Sequence, residues 1–137
     1  MRAFIDTSSL IKKYINEKGS HEFDVFLEKT SEIIVSPIYL LEVNSAIERR
    51  VREKTLPLSQ VTWIRAELKK DFHYFSQIIW NEKLIQKGLE LILKYQLKTL
   101  DTLQLASACL AQTDIFITSD KRLFNLAQSE LNNARFV

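Results

Sequence analysis

The stretch Asp114–Asp120 reads D-I-F-I-T-S-D, and it indicates how the whole chain folds. Its apolar and β-branched centre is typical of a buried strand, which we predict over Asp114–Thr118. Asp120 then begins a predicted helix over Lys121–Ser129, because aspartate is a favoured N-cap. A short buried strand that runs directly into a helix is the repeating unit of a parallel sheet covered by crossover helices.

The same alternation of strand and helix continues along the rest of the sequence. Further strands are predicted at Arg2–Ile5, Glu32–Ser36, Ile78–Trp80 and Ala134–Val137. Further helices are predicted at Ser8–Asn16, Ser20–Lys29, Tyr39–Lys54, Leu58–Phe75, Asn81–Gln96 and Thr102–Gln112. This order predicts an α/β fold, a three-layer α/β/α sandwich whose central sheet is mainly parallel. The length of 137 residues predicts one domain that spans residues 1–137.

Several classes of functional site are excluded by residues that the chain lacks. The two glycines, Gly19 and Gly88, cannot form the glycine-rich phosphate loops of dinucleotide- or nucleoside triphosphate-binding proteins. The single Cys109 rules out an internal disulfide and a CxxC zinc site, and its apolar surroundings predict a buried, unreactive thiol. His21 and His73 form no H-E-x-x-H pair. Carboxylates, hydroxyls and basic side chains remain as the chemical groups of a site.

No segment of the sequence predicts a membrane association. The apolar stretch Met1–Ile5 is too short for a signal peptide, and no run approaches the length of a membrane span. With one cysteine and no disulfide, the chain is expected to be a soluble protein of the reducing cytoplasm.

Four acidic residues stand where a parallel sheet would bring them together. Asp6 and Asp120 follow predicted strands, Asp101 begins a predicted helix, and Glu42 lies one turn into the helix after Glu32–Ser36. Helix capping or solvation would explain each aspartate singly. Ligands of open α/β sheets bind at the carboxyl ends of the strands, and an all-oxygen cluster there suits Mg²⁺ or Mn²⁺. Together they therefore indicate a site for a divalent cation.

These residues lie in four short motifs that resemble those of the PIN-domain ribonucleases. The motifs are D-T-S-S at Asp6–Ser9, S-P-I-Y-L-L-E-V at Ser36–Val43, L-K-T-L-D-T-L-Q-L-A at Leu97–Ala106 and F-I-T-S-D-K-R-L at Phe116–Leu123. Their order and spacing most resemble the virulence-associated protein C (VapC) type of toxin from type II toxin–antitoxin systems. The resemblance extends from Met1 to Val137.

The resemblance implies a set of site residues and a reaction. The implied catalytic and metal-binding carboxylates are Asp6, Glu42, Asp101 and Asp120, and the implied supporting hydroxyls are Thr7, Thr118 and Ser119. Gln104 stands where many relatives carry His, and Lys98 where they often carry Arg. The implied activity is that of an endoribonuclease that hydrolyses RNA phosphodiester bonds with a water activated by Mg²⁺ or Mn²⁺.

Basic residues near these motifs are candidates for contact with the RNA backbone. The candidates are Arg49, Lys98, Lys121 and Arg122. For the basic segment Glu48–Lys54, the alternative is a solvated helix face on which Arg49 and Arg52 pair with Glu48 or Glu53. The helical spacing of the aromatic residues Trp63, Phe72, Tyr74 and Trp80 predicts core packing or a subunit interface, with base stacking as the alternative.

The resemblance also implies protein partners, namely a second copy in a homodimer and a cognate antitoxin. A non-catalytic PIN-like module that binds RNA or protein remains the main alternative. A phosphatase of the haloacid dehalogenase type would need an acidic residue in place of Ser8. The net charge of +2 does not exclude RNA. Setting the four carboxylates aside from the 17 acidic residues leaves 13 against 19 basic ones, a balance of +6.

Overall fold

The computed structural model describes residues 1–137 and contains one five-stranded sheet. The strands are β1 (Arg2–Ile5), β2 (Glu32–Val35), β3 (Ser76–Gln77), β4 (Ile115–Thr118) and β5 (Ala134–Phe136). Their order across the sheet is β3-β2-β1-β4-β5, and every neighbouring pair is parallel. The predicted α/β fold with a parallel central sheet is confirmed.

Seven helices connect the strands and cover both faces of the sheet. They are α1 (Thr7–Leu10), α2 (Ser20–Leu27), α3 (Tyr39–Arg52), α4 (Leu58–Phe72), α5 (Glu82–Tyr95), α6 (Thr99–Ala111) and α7 (Lys121–Glu130). A 3₁₀ turn, Ile11–Lys13, extends α1. None of the helices is both long and apolar enough to cross a membrane.

Alternation along the strands produces two separate cores, one on each face. In β1, Ala3 and Ile5 point to the core formed with α1 to α4, whereas Phe4 points to the core formed with α5 to α7. The rings of Phe4 and Phe116 stack across β1 and β4 with their centroids 5.9 Å apart. The strands at the centre of the sheet are buried on both faces, as expected where parallel sheets are covered by helices on both sides.

The first predicted helix is shorter in the structure than the Ser8–Asn16 expected from the sequence. Helix α1 ends at Leu10, and the 3₁₀ turn ends at Lys13. The residues at the end of this turn are held by tertiary contacts instead of by a continued helix. Lys13 Nζ lies 2.6 Å from Asp71 Oδ2 on α4, and the Tyr14 hydroxyl donates to the same oxygen. These contacts outweigh the modest helix propensity of the following residues.

The predicted strand Ile78–Trp80 is displaced by two residues toward the N-terminus. The structure places β3 at Ser76–Gln77, where it pairs with Ile34 and Val35 of β2. The Ser76 hydroxyl donates to Glu32 Oε1 at 2.7 Å, which helps to hold this edge in register. The strand was predicted at the apolar residues that follow, whereas this edge strand consists of the polar residues Ser76 and Gln77.

The four aromatic residues predicted to pack in the core or at an interface are not in the core. Trp63, Phe72, Tyr74 and Trp80 are all exposed, Tyr74 by 84%. The buried face of α4 consists instead of Val61, Ile64 and Leu68. Core packing was therefore wrong for these aromatic residues, and a subunit interface or base stacking stays a prediction.

Candidate active site

The carboxyl edge of the sheet brings the four predicted carboxylates to one cavity of about 680 Å³. Asp6 directly follows β1, and Asp120 follows β4, which is the hydrogen-bonded neighbour of β1. Glu42 lies in the first turn of α3, which leaves the end of β2. Asp101 lies in the first turn of α6, which runs back to the start of β4 and so begins at the carboxyl edge. All four side chains line the cavity wall.

Asp6 is the most deeply buried of the four carboxylates, with 4% of the residue exposed. Its Oδ2 atom accepts hydrogen bonds from Ser8 Oγ at 2.5 Å and Thr118 Oγ1 at 2.7 Å. The pKa of Asp6 is raised to about 6, mainly by burial; the two hydrogen bonds oppose this rise, and the charges of Glu42 and Asp120 add to it. Although Asp6 stands at the N-cap of α1, its side chain caps nothing, so its conformation is set by the site.

Glu42 is held by two side chains that line the same cavity. Thr7 Oγ1 donates to Glu42 Oε1 at 3.0 Å, and Gln104 Nε2 donates to the same oxygen and to Thr7 Oγ1. Burial raises the pKa of Glu42, the two hydrogen bonds oppose this, and the charge of Asp101 adds to the rise. The buried Oε1 atom of Gln104 has no hydrogen-bond partner. An unsatisfied oxygen acceptor therefore lies beside the carboxylate.

The two remaining carboxylates differ in how they are held. Asp120 caps α7, because its Oδ1 atom accepts the Leu123 N–H at 2.9 Å. Asp101 is the third residue of α6 rather than its cap, since the helix begins three residues earlier than predicted, and its carboxylate accepts no hydrogen bond. Burial raises the pKa of Asp101, and the charge of Asp120 raises it further. Asp101 is thus half-buried, and the negative charge of Asp120 disfavours its ionised form.

The predicted hydroxyls occupy different positions around the site. Thr7 contacts Glu42 and lines the cavity. Thr118 is fully buried behind Asp6 and also accepts the Asp120 N–H at 3.0 Å. Ser119 Oγ lies 2.9 Å from Ser9 Oγ and faces the cavity. Thr118 therefore links Asp6 to Asp120, while Thr7 orients Glu42.

The predicted RNA-contacting residues are only partly brought to the cavity. Arg49 lines it and is exposed. Arg122 and Lys98 lie outside the lining, but their charges lower the pKa of Asp101, so both are within electrostatic range of it. Lys121 is directed elsewhere, with its Nζ atom 5.2 Å from the centre of the Phe136 ring. The proposed pairing of Arg49 within α3 is wrong, because Glu48 pairs with Arg65 of α4.

The donor set at this site fits a hard divalent cation, but the site is not preassembled. As positioned, no group of three or more His, Cys, Asp or Glu side chains could hold a metal ion. The available donors are all oxygens, which is the preference of Mg²⁺ and Mn²⁺. Mg²⁺ commonly keeps several waters and binds directly to only one or two carboxylates. Burial is the main cause of the raised pKa of Asp6, Glu42 and Asp101, and a cation would offset the mutual repulsion that adds to it.

Three further cavity-lining residues were not among the predicted site residues. They are Lys12, Glu17 and Arg50, of which Arg50 lies in the basic segment Glu48–Lys54. Gln104 was noted only as a departure from the usual His, yet it holds Glu42. A contact across 62 positions of the sequence has no local pattern, so neither periodicity nor spacing could have revealed it.

Comparison with solved structures finds several proteins that share this fold. Comparison with curated protein sequences gave no significant match. A chain from a toxin–antitoxin complex of Klebsiella pneumoniae is 20% identical, with a TM-score of 0.68 and coverage of 97% of this chain and 95% of that one.

Two further solved structures show the same fold at still lower identity. VapBC2 from Rickettsia felis, bound to a promoter DNA fragment, is 12% identical with a TM-score of 0.68, covering 100% of this chain and 99% of the other. FitAcB from Neisseria gonorrhoeae is 13% identical with a TM-score of 0.67, covering 98% and 96% respectively. The PIN domain family model matches residues 3–128. With this match over most of its length and its carboxylates gathered at the carboxyl edge of the sheet, the chain belongs to the PIN domain family.

Proposed function

We propose that the chain is an Mg²⁺- or Mn²⁺-dependent endoribonuclease and the toxin of a toxin–antitoxin pair. The observation that carries the proposal is the convergence of Asp6, Glu42, Asp101 and Asp120, from four separate elements, on one cavity. Membership of the PIN domain family supports it. A structural sheet edge would have no reason to bury carboxylates that repel one another.

The chain's own residues would hold and orient the reacting groups. A divalent cation in such a site supplies an activated water and offsets charge on the phosphodiester. Asp6, Glu42, Asp101 and Asp120 are the residues that would hold it. Thr118 and Ser8 fix the Asp6 carboxylate, and Thr7 with Gln104 fixes that of Glu42. Arg49, Arg122 and Lys98 are positioned to contact the RNA backbone beside these carboxylates.

The proposed protein partners are a cognate antitoxin and a second copy of the chain. We propose an antitoxin because one solved structure that shares this fold is described as a toxin–antitoxin complex. Two others are described as VapBC2 and FitAcB. Exposed aromatic side chains, Trp63, Tyr74 and Trp80, provide apolar surface for a protein interface.

A non-catalytic binding module remains a second candidate because the carboxylates are not arranged to hold a metal ion as they stand. A module of this kind would keep the cavity and its basic residues for binding but would gain no stability from a divalent cation. The response of stability to metal separates the two proposals.

Addition of Mg²⁺ or Mn²⁺ is expected to raise the melting temperature of the protein by several degrees. A ligand that binds only the folded state stabilises it by about 2.7 kcal/mol at roughly 100 times its dissociation constant. The rise is measured by thermal unfolding in EDTA and at increasing concentrations of each cation, with Na⁺ at matched ionic strength as the control. An unchanged melting temperature together with no cleavage of any RNA would favour the binding module.

A further inference from the structure

The cavity that the four carboxylates line also carries basic side chains, two of which form an ion-pair cluster with Glu17. Arg50 Nη2 lies 2.9 Å from Glu17 Oε2, and Lys12 Nζ lies 3.5 Å from Glu17 Oε1. All three side chains line the cavity, as does the neighbouring Arg49. Glu17 therefore pairs with two cations and lowers the net charge of this wall from +3 to +2.

The two cations are held in place by the backbone as well as by Glu17. Lys12 Nζ donates to the Lys18 carbonyl at 2.7 Å, and only 8% of the residue is exposed. Arg50 Nη1 donates to the Ala46 carbonyl of its own helix at 3.3 Å. These contacts would keep both cations directed at the cavity wall when the Glu17 side chain is elsewhere.

The Glu17 side chain is the movable member of the cluster. Its backbone N–H donates to Ser20 Oγ at 2.9 Å, and Ser20 Oγ donates to the Ile15 carbonyl, so the loop is held without the carboxylate. The carboxylate is partly exposed, and its only hydrogen-bond partners are the two cations. A change of side-chain rotamer could release it without unfolding the loop.

We propose that Glu17 occupies the place of an RNA backbone phosphate, and that it releases Arg50 and Lys12 to that phosphate when RNA enters the cavity. The inference rests on the proposed ribonuclease function. RNA that binds with one phosphodiester at the four carboxylates would bring adjoining phosphates into the same cavity, which these cations also line. Phosphate and carboxylate compete for the same guanidinium and ammonium donors.

An internal carboxylate in this position lowers the affinity for RNA and makes binding depend on its displacement. Each cation that neutralises a phosphate contributes about 0.7 to the slope of the logarithm of affinity against the logarithm of salt concentration for a single strand. While Glu17 is in place, part of this contribution is cancelled. Removing its charge should make binding both tighter and more sensitive to salt.

Replacement of Glu17 by glutamine tests this directly, because Gln keeps the shape and one acceptor oxygen but removes the charge. Binding of a short fluorescent single-stranded RNA is measured in EDTA, so that cleavage does not interfere, at several salt concentrations. We expect Glu17→Gln to bind roughly three- to tenfold more tightly at low salt, with a steeper salt dependence. The matched control is Glu53→Gln, which makes the same change in net charge at an exposed position beyond the end of α3 and is expected to alter affinity less than twofold.

A second pair of variants keeps the test valid if Glu17→Gln folds poorly. Arg50→Gln should weaken RNA binding more than Arg52→Gln, an exposed site on the same helix, because it also leaves the Glu17 charge unpaired in the cavity. In the double variant Glu17→Gln/Arg50→Gln, the gain from Glu17→Gln should largely disappear.

The proposed role of Glu17 would be wrong if Glu17→Gln and the wild type bound RNA with equal affinity, or if Glu17→Gln and Glu53→Gln gained equally in RNA affinity. Either result would leave the proposed ribonuclease activity unaffected. Loss of stability in Arg50→Gln without any change in RNA affinity would likewise assign the cluster to loop anchoring alone. If the wild type and all variants fail to bind RNA, the proposed substrate is wrong and this inference fails with it.

Discussion

Asp101→Asn is expected to lower the rate of RNA cleavage by at least about 100-fold while the protein remains folded. The carboxylate accepts no hydrogen bond, and burial together with the nearby charge of Asp120 raises its pKa, so in the absence of a cation its charge does not stabilise the fold. Asparagine keeps the size of the side chain but removes the negative charge. Cleavage of a labelled RNA in Mg²⁺ gives the rate, and thermal unfolding in EDTA tests the fold.

The control for this substitution is Asp24→Asn on α2, which makes the same chemical change at an exposed site outside the cavity. Its cleavage rate should equal that of the wild type. A decrease in both variants would indicate an effect of net charge on RNA binding, and an unaffected Asp101→Asn would remove Asp101 from the catalytic set.

Gln104→Met is expected to slow cleavage by about 10- to 100-fold and to raise the Mg²⁺ concentration needed for half of the maximal rate. Gln104 donates to Glu42 and Thr7, so methionine of similar volume leaves the Glu42 carboxylate without its main orienting donor. The rate is measured as a function of Mg²⁺ concentration. A residue with a purely structural role would change the melting temperature but not the Mg²⁺ dependence.

Gln128→Met, at an exposed position of α7, is the matched control and should leave both the rate and its Mg²⁺ dependence unchanged. Rescue of the Gln104→Met variant by high Mg²⁺ would agree with a positioning role for Gln104. A variant with wild-type rate at every Mg²⁺ concentration would show that the contact with Glu42 is dispensable.

Local chemistry explains which parts of the fold were predictable from the sequence. The centre of the sheet was predictable because β1, β2 and β4 are short apolar runs buried on both faces. Two helix caps are equally local: Asn81 accepts from the Leu84 N–H and Asp120 from the Leu123 N–H, and both contacts span three residues. The gathering of the four carboxylates followed from the rule for the carboxyl edges of parallel strands.

Long-range contacts and surface pattern explain what the sequence left unpredicted. The helix after Asp6 ends early because Lys13 and Tyr14 contact Asp71, which lies far along the chain. The aromatic residues near α4 follow a helical spacing but are exposed, since periodicity alone does not say which face is covered. The partnership of Glu17 with Arg50 joins two elements 33 positions apart, so no motif could mark it.

The predicted RNA contacts also depend on side-chain direction, which the sequence does not show. Arg49 reaches the cavity because it lies two turns after Glu42 on α3, a spacing that helical geometry brings to one side. Lys121 follows Asp120 directly in sequence, but its side chain lies over the Phe136 ring. Proximity in sequence to a site residue is therefore a weaker guide to the site than the direction of the side chain.

Hydrolysis of RNA at the four carboxylates is tested most directly by comparing RNA cleavage by the wild type with cleavage by the double variant Asp6→Asn/Asp101→Asn. Both proteins are purified identically and incubated with RNA in Mg²⁺ and in EDTA, and the products are mapped by their 5′ ends. We expect cleavage by the wild type in Mg²⁺ alone and none by the folded double variant. Full cleavage by the double variant would contradict this expectation.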